Sequence, residues 1–259
     1  MPESIGLDVE DVDLFQFVDV SFKIRVKLVD TVSGTVKTGQ PSSIKVLLGF
    51  EGNTTADTRC REHHPHLLEV VSNTGIQDNG CGVIEVKITD VSMNHDHQRF
   101  VVYLEAYRTH GENNILLAAT NPITCVRHKL LISENNSQPY IWYKDEGAKD
   151  KCIKVLVKLV DSNKNVVKDR NVPLSVSLVY SSGQTVQPTT VLSIFNDKDK
   201  PLGVTSNGTE LVKFRVNEVS RNHRKQLFHL LVAPDVTQDA SLGDISPATS
   251  VAFEVKSKR

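Results

Sequence analysis

No run of this chain is apolar for long enough to cross a bilayer. The longest apolar stretches, such as residues 115–120, fall far short of the roughly 20 residues a spanning helix needs. Residues 1–10 carry acids and lack both the basic opening and the apolar segment of a secretory signal. These absences lead to the expectation of a protein that resides in the nucleus or cytoplasm, is not secreted and has no membrane partner. Cysteine is scarce: Cys60, Cys81, Cys125 and Cys152 are the only four. An even count makes a disulfide framework only in an oxidising compartment, so free thiols are expected.

Catalytic signatures are missing as well. There is no Gly-x-Ser-x-Gly elbow, no glycine-rich phosphate loop ending in Lys-Ser/Thr and no His-Glu-x-x-His. The expectation is a non-enzymatic protein with no cofactor. What remains is ordinary globular composition, 39% apolar and 24% charged, which excludes a disordered or collagen-like chain. A length of 259 residues suits one large domain or two ordinary ones.

An internal repeat favours two. Val26-Lys27-Leu28-Val29-Asp30 returns as Val157-Lys158-Leu159-Val160-Asp161. Val91-Ser92-Met93-Asn94-His95 returns as Val219-Ser220-Arg221-Asn222-His223, and in both copies four residues separate the His from a Phe, Phe100 or Phe228. Ala119-Thr120 with Val126 and Lys129 answers Ala248-Thr249 with Val255 and Lys258. Matches in the same order at nearly constant spacing mark a duplicated unit. The expected layout is a first copy over 15–133, a polar linker over 134–149 and a second copy over 150–259. The aromatics Tyr140, Trp142 and Tyr143 in the linker would pack at a domain interface.

Each copy reads as strands. Phe22, Ile24, Val26 and Leu28 alternate with Lys23, Arg25 and Lys27, and Ile153, Val155, Val157 and Leu159 alternate with other residues in the same way. That is the period of a half-buried strand. Further β-branched segments lie at 44–50, 83–89, 100–107, 123–132, 172–180, 191–195, 211–216, 226–233 and 251–256. Turn clusters such as Asp78-Asn79-Gly80 and Ser206-Asn207-Gly208 separate them. No long amphipathic helix interrupts them. The fold class predicted is all-β, two tandem immunoglobulin-like β-sandwich domains.

Two clusters bear on chemistry. Cys60, His63, His64 and His66 crowd seven residues, and Cys81 follows. Cys60 and His63 have the spacing for one zinc ion, which needs two more ligands, with Cys81 or His66 in reach. The alternative is a surface loop with unrelated histidines, and the second copy has no counterpart to the cluster. The other cluster is the repeated Val-Ser-x-Asn-His segment. Because both copies carry it, its Ser, Asn and His are expected to fix a loop shape. The residues between them differ. The first copy has Met93, Asp96, His97 and Arg99, whereas the second has Arg221, Arg224 and Lys225 with no acid between Ser220 and Phe228. The net charge of -1 hides the same asymmetry. Residues 1–149 hold 14 Lys and Arg against 20 Asp and Glu, and residues 150–259 hold 16 against 11. The chain closes on Lys256, Ser257, Lys258 and Arg259. Brought together, the loop and tail would form a patch for phosphate, with Arg able to pair base edges in two places at once. Otherwise they are a solvated loop and a frayed tail.

Phe214, Arg221, Arg224, Phe228 and the basic tail resemble the end of a Runt domain, within the Rel-like group of immunoglobulin-fold transcription factors. The resemblance covers residues 211–259, and Asn222, His223, Lys225 and Gln226 stand where that family's loop is rich in glycine. It implies DNA as the partner and Arg221, Arg224, Lys225, Lys258 and Arg259 as the contacts. The acidic first copy would then serve dimerisation or docking of a protein partner. The rival reading is a scaffold of tandem sandwiches that captures a protein at a strand edge.

Overall fold

Alternating apolar and cationic residues become strand in both halves of the computed structural model, which describes residues 5–52, 64–108, 115–133, 140–144, 152–195 and 201–257. The chain divides into two units, Met1–Arg127 and His128–Arg259. Both are all-β, two tandem immunoglobulin-like sandwiches, and the helical segments among the described residues are short 3-10 turns.

The first unit holds β1 (Ile5–Val9), β2 (Phe15–Phe17), β3 (Phe22–Asp30), β4 (Ser42–Phe50), β5 (Leu68–Asn73), β6 (Cys81–Ile88), β7 (Phe100–Arg108), β8 (Ile115–Ala119) and β9 (Thr124–Val126). One sheet runs β1-β3-β6-β5, the facing one β4-β7-β8, and β2 pairs with β9 in parallel. Ile24, Leu28, Ile84, Leu48, Phe100, Leu104 and Ile123 fill the space between the sheets.

The second unit holds β10 (His128–Ser133), β11 (Tyr140–Tyr143), β12 (Ile153–Val160), β13 (Val172–Tyr180), β14 (Leu192–Ile194), β15 (Gly203–Val204), β16 (Thr209–Val216), β17 (Phe228–Pro234), β18 (Ile245–Ser246), β19 (Ala248–Thr249) and β20 (Phe253–Lys256). Its sheets run β14-β16-β12-β10-β18 and β11-β20-β17-β13-β15. Leu130, Leu159, Phe214 and Phe228 are sealed inside. The unit repeats the plan of the first. The opening strand pairs antiparallel with the third, and the second strand pairs in parallel with the last. Gly80 and Gly208 repeat too, each at φ +78 in its turn, where a Cβ would meet the carbonyl oxygen of Lys37 at 2.2 Å or of Val167 at 2.3 Å.

Three expectations are corrected. The strand expected at 123–132 is two strands, not one, and the unit boundary falls between them. β10 pairs along its length with β12, so residues 128–133 open the second copy instead of closing the first. The first copy likewise begins before residue 15, because β1 is the edge partner of β3. The linker expected at 134–149 contains a strand, β11, that pairs with β20. Its Trp142 packs against the core of the second sandwich, which gives that aromatic a role within one unit.

Candidate nucleic-acid interface

The loop between β16 and β17 is built by the residues the two copies share. Ser220 is 1% exposed, and its hydroxyl accepts the backbone N–H of Val255 on β20 at 2.9 Å. In the first copy Ser92, 2% exposed, accepts the N–H of Cys125 at 2.9 Å. Each serine therefore ties the loop to the last strand of its sandwich and satisfies a donor that burial would otherwise leave unpaired.

The histidines carry the next layer. His223 Nε2 faces Glu218 Oε2 at 3.1 Å, and Nδ1 lies 2.8 Å from the Tyr180 hydroxyl. With Nε2 protonated, Nδ1 accepts from Tyr180. The ring stands edge-on to Phe228 at 5.0 Å. In the first copy His95 Nε2 faces Asp90 at 3.1 Å, and its ring stands edge-on to Phe100 at 5.4 Å and against Phe50 at 5.3 Å. Asp90 also accepts from the Val91 N–H at 2.8 Å and the Asn94 amide at 2.7 Å. Burial raises the Asp90 pKa, but these three donors outweigh it and hold the carboxyl below its ordinary value. The serines and histidines thus have the structural role expected of them. The acid two residues before the serine is a partner that sequence reasoning missed, although its presence in both copies was a signal.

The loop then turns through two consecutive residues in the left-handed region, at the same position in each copy. They are Asp96 (φ 54) and His97 (φ 60) in the first and Arg224 (φ 56) and Lys225 (φ 61) in the second. Neither pair contains the glycine that such a backbone favours. Against this common backbone the charges differ. Arg221, Arg224 and Lys225 are exposed, and among the described residues no ion pair engages them. In the first copy the loop's cation, Arg99, is clamped by Glu51 through Nε at 2.6 Å and Nη2 at 2.5 Å. Lys256, at the end of β20 and so beside Ser220, reaches Glu254 at 3.1 Å. Lys258 and Arg259 lie outside the described residues.

The zinc reading gains no support. Among the described residues no group of three or more His, Cys, Asp or Glu side chains is placed to hold a metal ion. Cys60 and His63 lie outside the described residues. Cys81 is on β6 opposite Lys27, and the His64 ring lies tilted against Phe50 at 4.8 Å. Among the described residues no disulfide joins Cys81, Cys125 or Cys152.

The family model for the DG1062 N-terminal domain matches residues 15–144, half of the chain. The chain belongs to that family. The match takes in the first sandwich from β2 onward together with β10 and β11 of the second. No curated protein matches the sequence. Among solved structures, the adhesin InvE of Yersinia pseudotuberculosis is 13% identical over 97% of this chain and 60% of that one, with a TM-score of 0.30. A DUF4785 family protein of Legionella pneumophila is 9% identical over 93% and 53%, with a TM-score of 0.42. Domains 5–6 of the surface-layer protein SbsC are 15% identical over 100% and 99%, with a TM-score of 0.28. The chain therefore spans only 60% and 53% of the first two.

Proposed function

We propose that this member of the DG1062 N-terminal domain family is a non-enzymatic DNA-binding protein, of the kind that regulates transcription on a Rel- or Runt-like fold. The second sandwich grips phosphate through Arg221, Arg224 and Lys225, with the tail residues Lys258 and Arg259 adding to the grip. One observation carries the reading: the two copies build the same loop backbone, and only the second presents exposed cations that no acid among the described residues engages. A loop needed only for its shape has no use for that difference. Guanidinium groups at the tip suit bidentate contact with phosphate or with guanine edges.

The test is a salt titration of duplex DNA binding, from about 50 to 200 mM, with the full chain and with Arg221→Ala/Arg224→Ala. The variant loses two phosphate contacts, so its log–log salt slope should flatten by about 1.8. Exposed substitutions of this kind shift stability by no more than about 0.5 kcal/mol, so the fold survives. No binding by the full chain at low salt, or equal binding by both proteins, contradicts the reading.

A second reading, a protein-interaction module, rests on the first sandwich. Leu47, Val101 and Tyr103, each only 6–7% exposed, form a buried apolar cluster of their own on the outer side of the β4-β7-β8 sheet. Leu117 and Ile115 extend it with 43% and 48% exposure. On the matching face of the second sandwich Ser175 stands opposite Ala233, Ser177 opposite Leu231 and Val179 opposite His229. Retention of one protein partner after nuclease treatment, lost on Leu117→Asp, favours this reading.

A further inference from the structure

Cross-strand register reveals a second basic surface on the second sandwich, away from the loop. The core-facing residues of β12 and β16 are Ile153, Val155, Val157, Val212 and Phe214, so the residues between them face outward. Lys154 stands directly opposite Lys213, Leu156 opposite Leu211, and Lys158 opposite Thr209. On the flanks, Ser193 pairs with Arg215, Leu131 with Lys158, and Lys129 with Val160. The outward positions of β12 and β16 that face each other carry Lys154, Lys158 and Lys213 and no acid. A like-charged pair facing across two strands destabilises a sheet, so the Lys154–Lys213 pair works against the fold.

The equivalent face of the first sandwich shows that the fold does not call for this. There Lys23 stands opposite Glu85, and Lys27 lies between Asp8 and Cys81. Lys27 reaches Glu10 at 2.8 Å, and Lys87 reaches Glu69 at 2.5 Å. The first copy sets acids against its cations on this face, whereas the central row of the second sets lysine against lysine.

We infer that the outer face of β12 and β16 is a second phosphate-contact surface for the duplex held by the loop; this rests on the DNA reading above. Arg215 ends the outward row of β16, and the loop leaves that same strand end through Asn217 and Glu218. Face and loop thus share one end of the sandwich. Leu156 and Leu211 lie between the basic rows, where they give the lysine stems an apolar bed and keep the ammonium heads in water. Lysine serves as a point charge for phosphate without reading bases, so the face adds affinity and the loop adds orientation.

The experiment compares three full-length proteins on a mixed-sequence DNA duplex across salt: the native chain, a loop variant (Arg221→Ala/Arg224→Ala/Lys225→Ala) and a face variant (Lys154→Gln/Lys158→Gln/Lys213→Gln). Each variant removes three contacts, so its log–log salt slope should flatten by about 2.7 relative to the native chain. A native slope in the face variant overturns the inference and leaves the loop reading intact. A native slope in the loop variant with a flattened one in the face variant overturns the loop reading alone. Face-dependent binding to phosphatidylserine vesicles with none to the duplex overturns both, in favour of a lipid surface. Circular dichroism of each variant confirms that it is folded.

Discussion

The loops at residues 90–100 and 218–228 share a backbone and differ in charge. Both fix their first turn with a buried serine bonded to the last strand, and both set a histidine between a carboxylate and a phenylalanine. Both then pass through two left-handed residues. On this common frame the first loop neutralises its cation with Glu51, and the second leaves three cations exposed. The sheet faces behave in the same way: paired charges on β3 and β6, and lysine against lysine on β12 and β16. The comparison separates what the fold requires from what it merely tolerates. Features present in both copies hold the sandwich together, and features confined to one copy are where we propose that the partner binds.

The first way to break this comparison is to remove the shared serines. Ser220→Ala leaves the Val255 N–H buried without an acceptor and should cost about 1–3 kcal/mol, with Ser92→Ala costing a similar amount. Chemical denaturation of each variant gives the two values. A large cost in one copy and none in the other would end the claim that the loops are built alike. A smaller effect of opposite sign is expected on the sheet face. Lys213→Glu converts the pair with Lys154 into an attractive one and should stabilise the protein by about 0.2–1 kcal/mol, read as a higher midpoint. The matching reversal in the first copy, Glu85→Lys, should destabilise by a similar amount.

The smallest effect concerns acid. Asp90 titrates below its ordinary value in the folded protein, so it favours folding at pH values above the unfolded pKa. That contribution fades as the pH falls through the folded pKa. Protection of the amides at residues 91–98, measured against their intrinsic exchange rates, should therefore fall in acid in the native chain and show a flatter pH response in Asp90→Asn.

Much of the fold was legible in the sequence because repeats and strand periodicity are local. Val26 to Asp30 and its copy became β3 and β12, and the segment at 172–180 became β13 with the same ends. Boundaries were less legible. Only Arg127 separates β9 from β10, so the two strands read as one, and the passage from one sandwich to the next went unmarked. The strand β11 stood among polar residues and read as linker. Its partner, β20, lies more than a hundred residues away.

The candidate site was half legible. Arg221, Arg224 and Lys225 stand out because the repeat supplies a copy without them. The sheet face did not, because lysines alternating along a strand look like any solvated face. Only register shows that Lys154 meets Lys213 where Lys23 meets Glu85. The acid partners of the histidines were visible as Asp90 and Glu218 but had no evident role until the rings were placed against them.

The most direct test exchanges the loops' charges on their shared backbone. One variant gives the second loop the residues of the first, as Arg221→Met/Arg224→Asp/Lys225→His. A second adds to it Met93→Arg/Asp96→Arg/His97→Lys in the first loop. Duplex binding at low salt should collapse in the first variant and recover a substantial part of its strength in the second. Binding that ignores both exchanges would contradict the account.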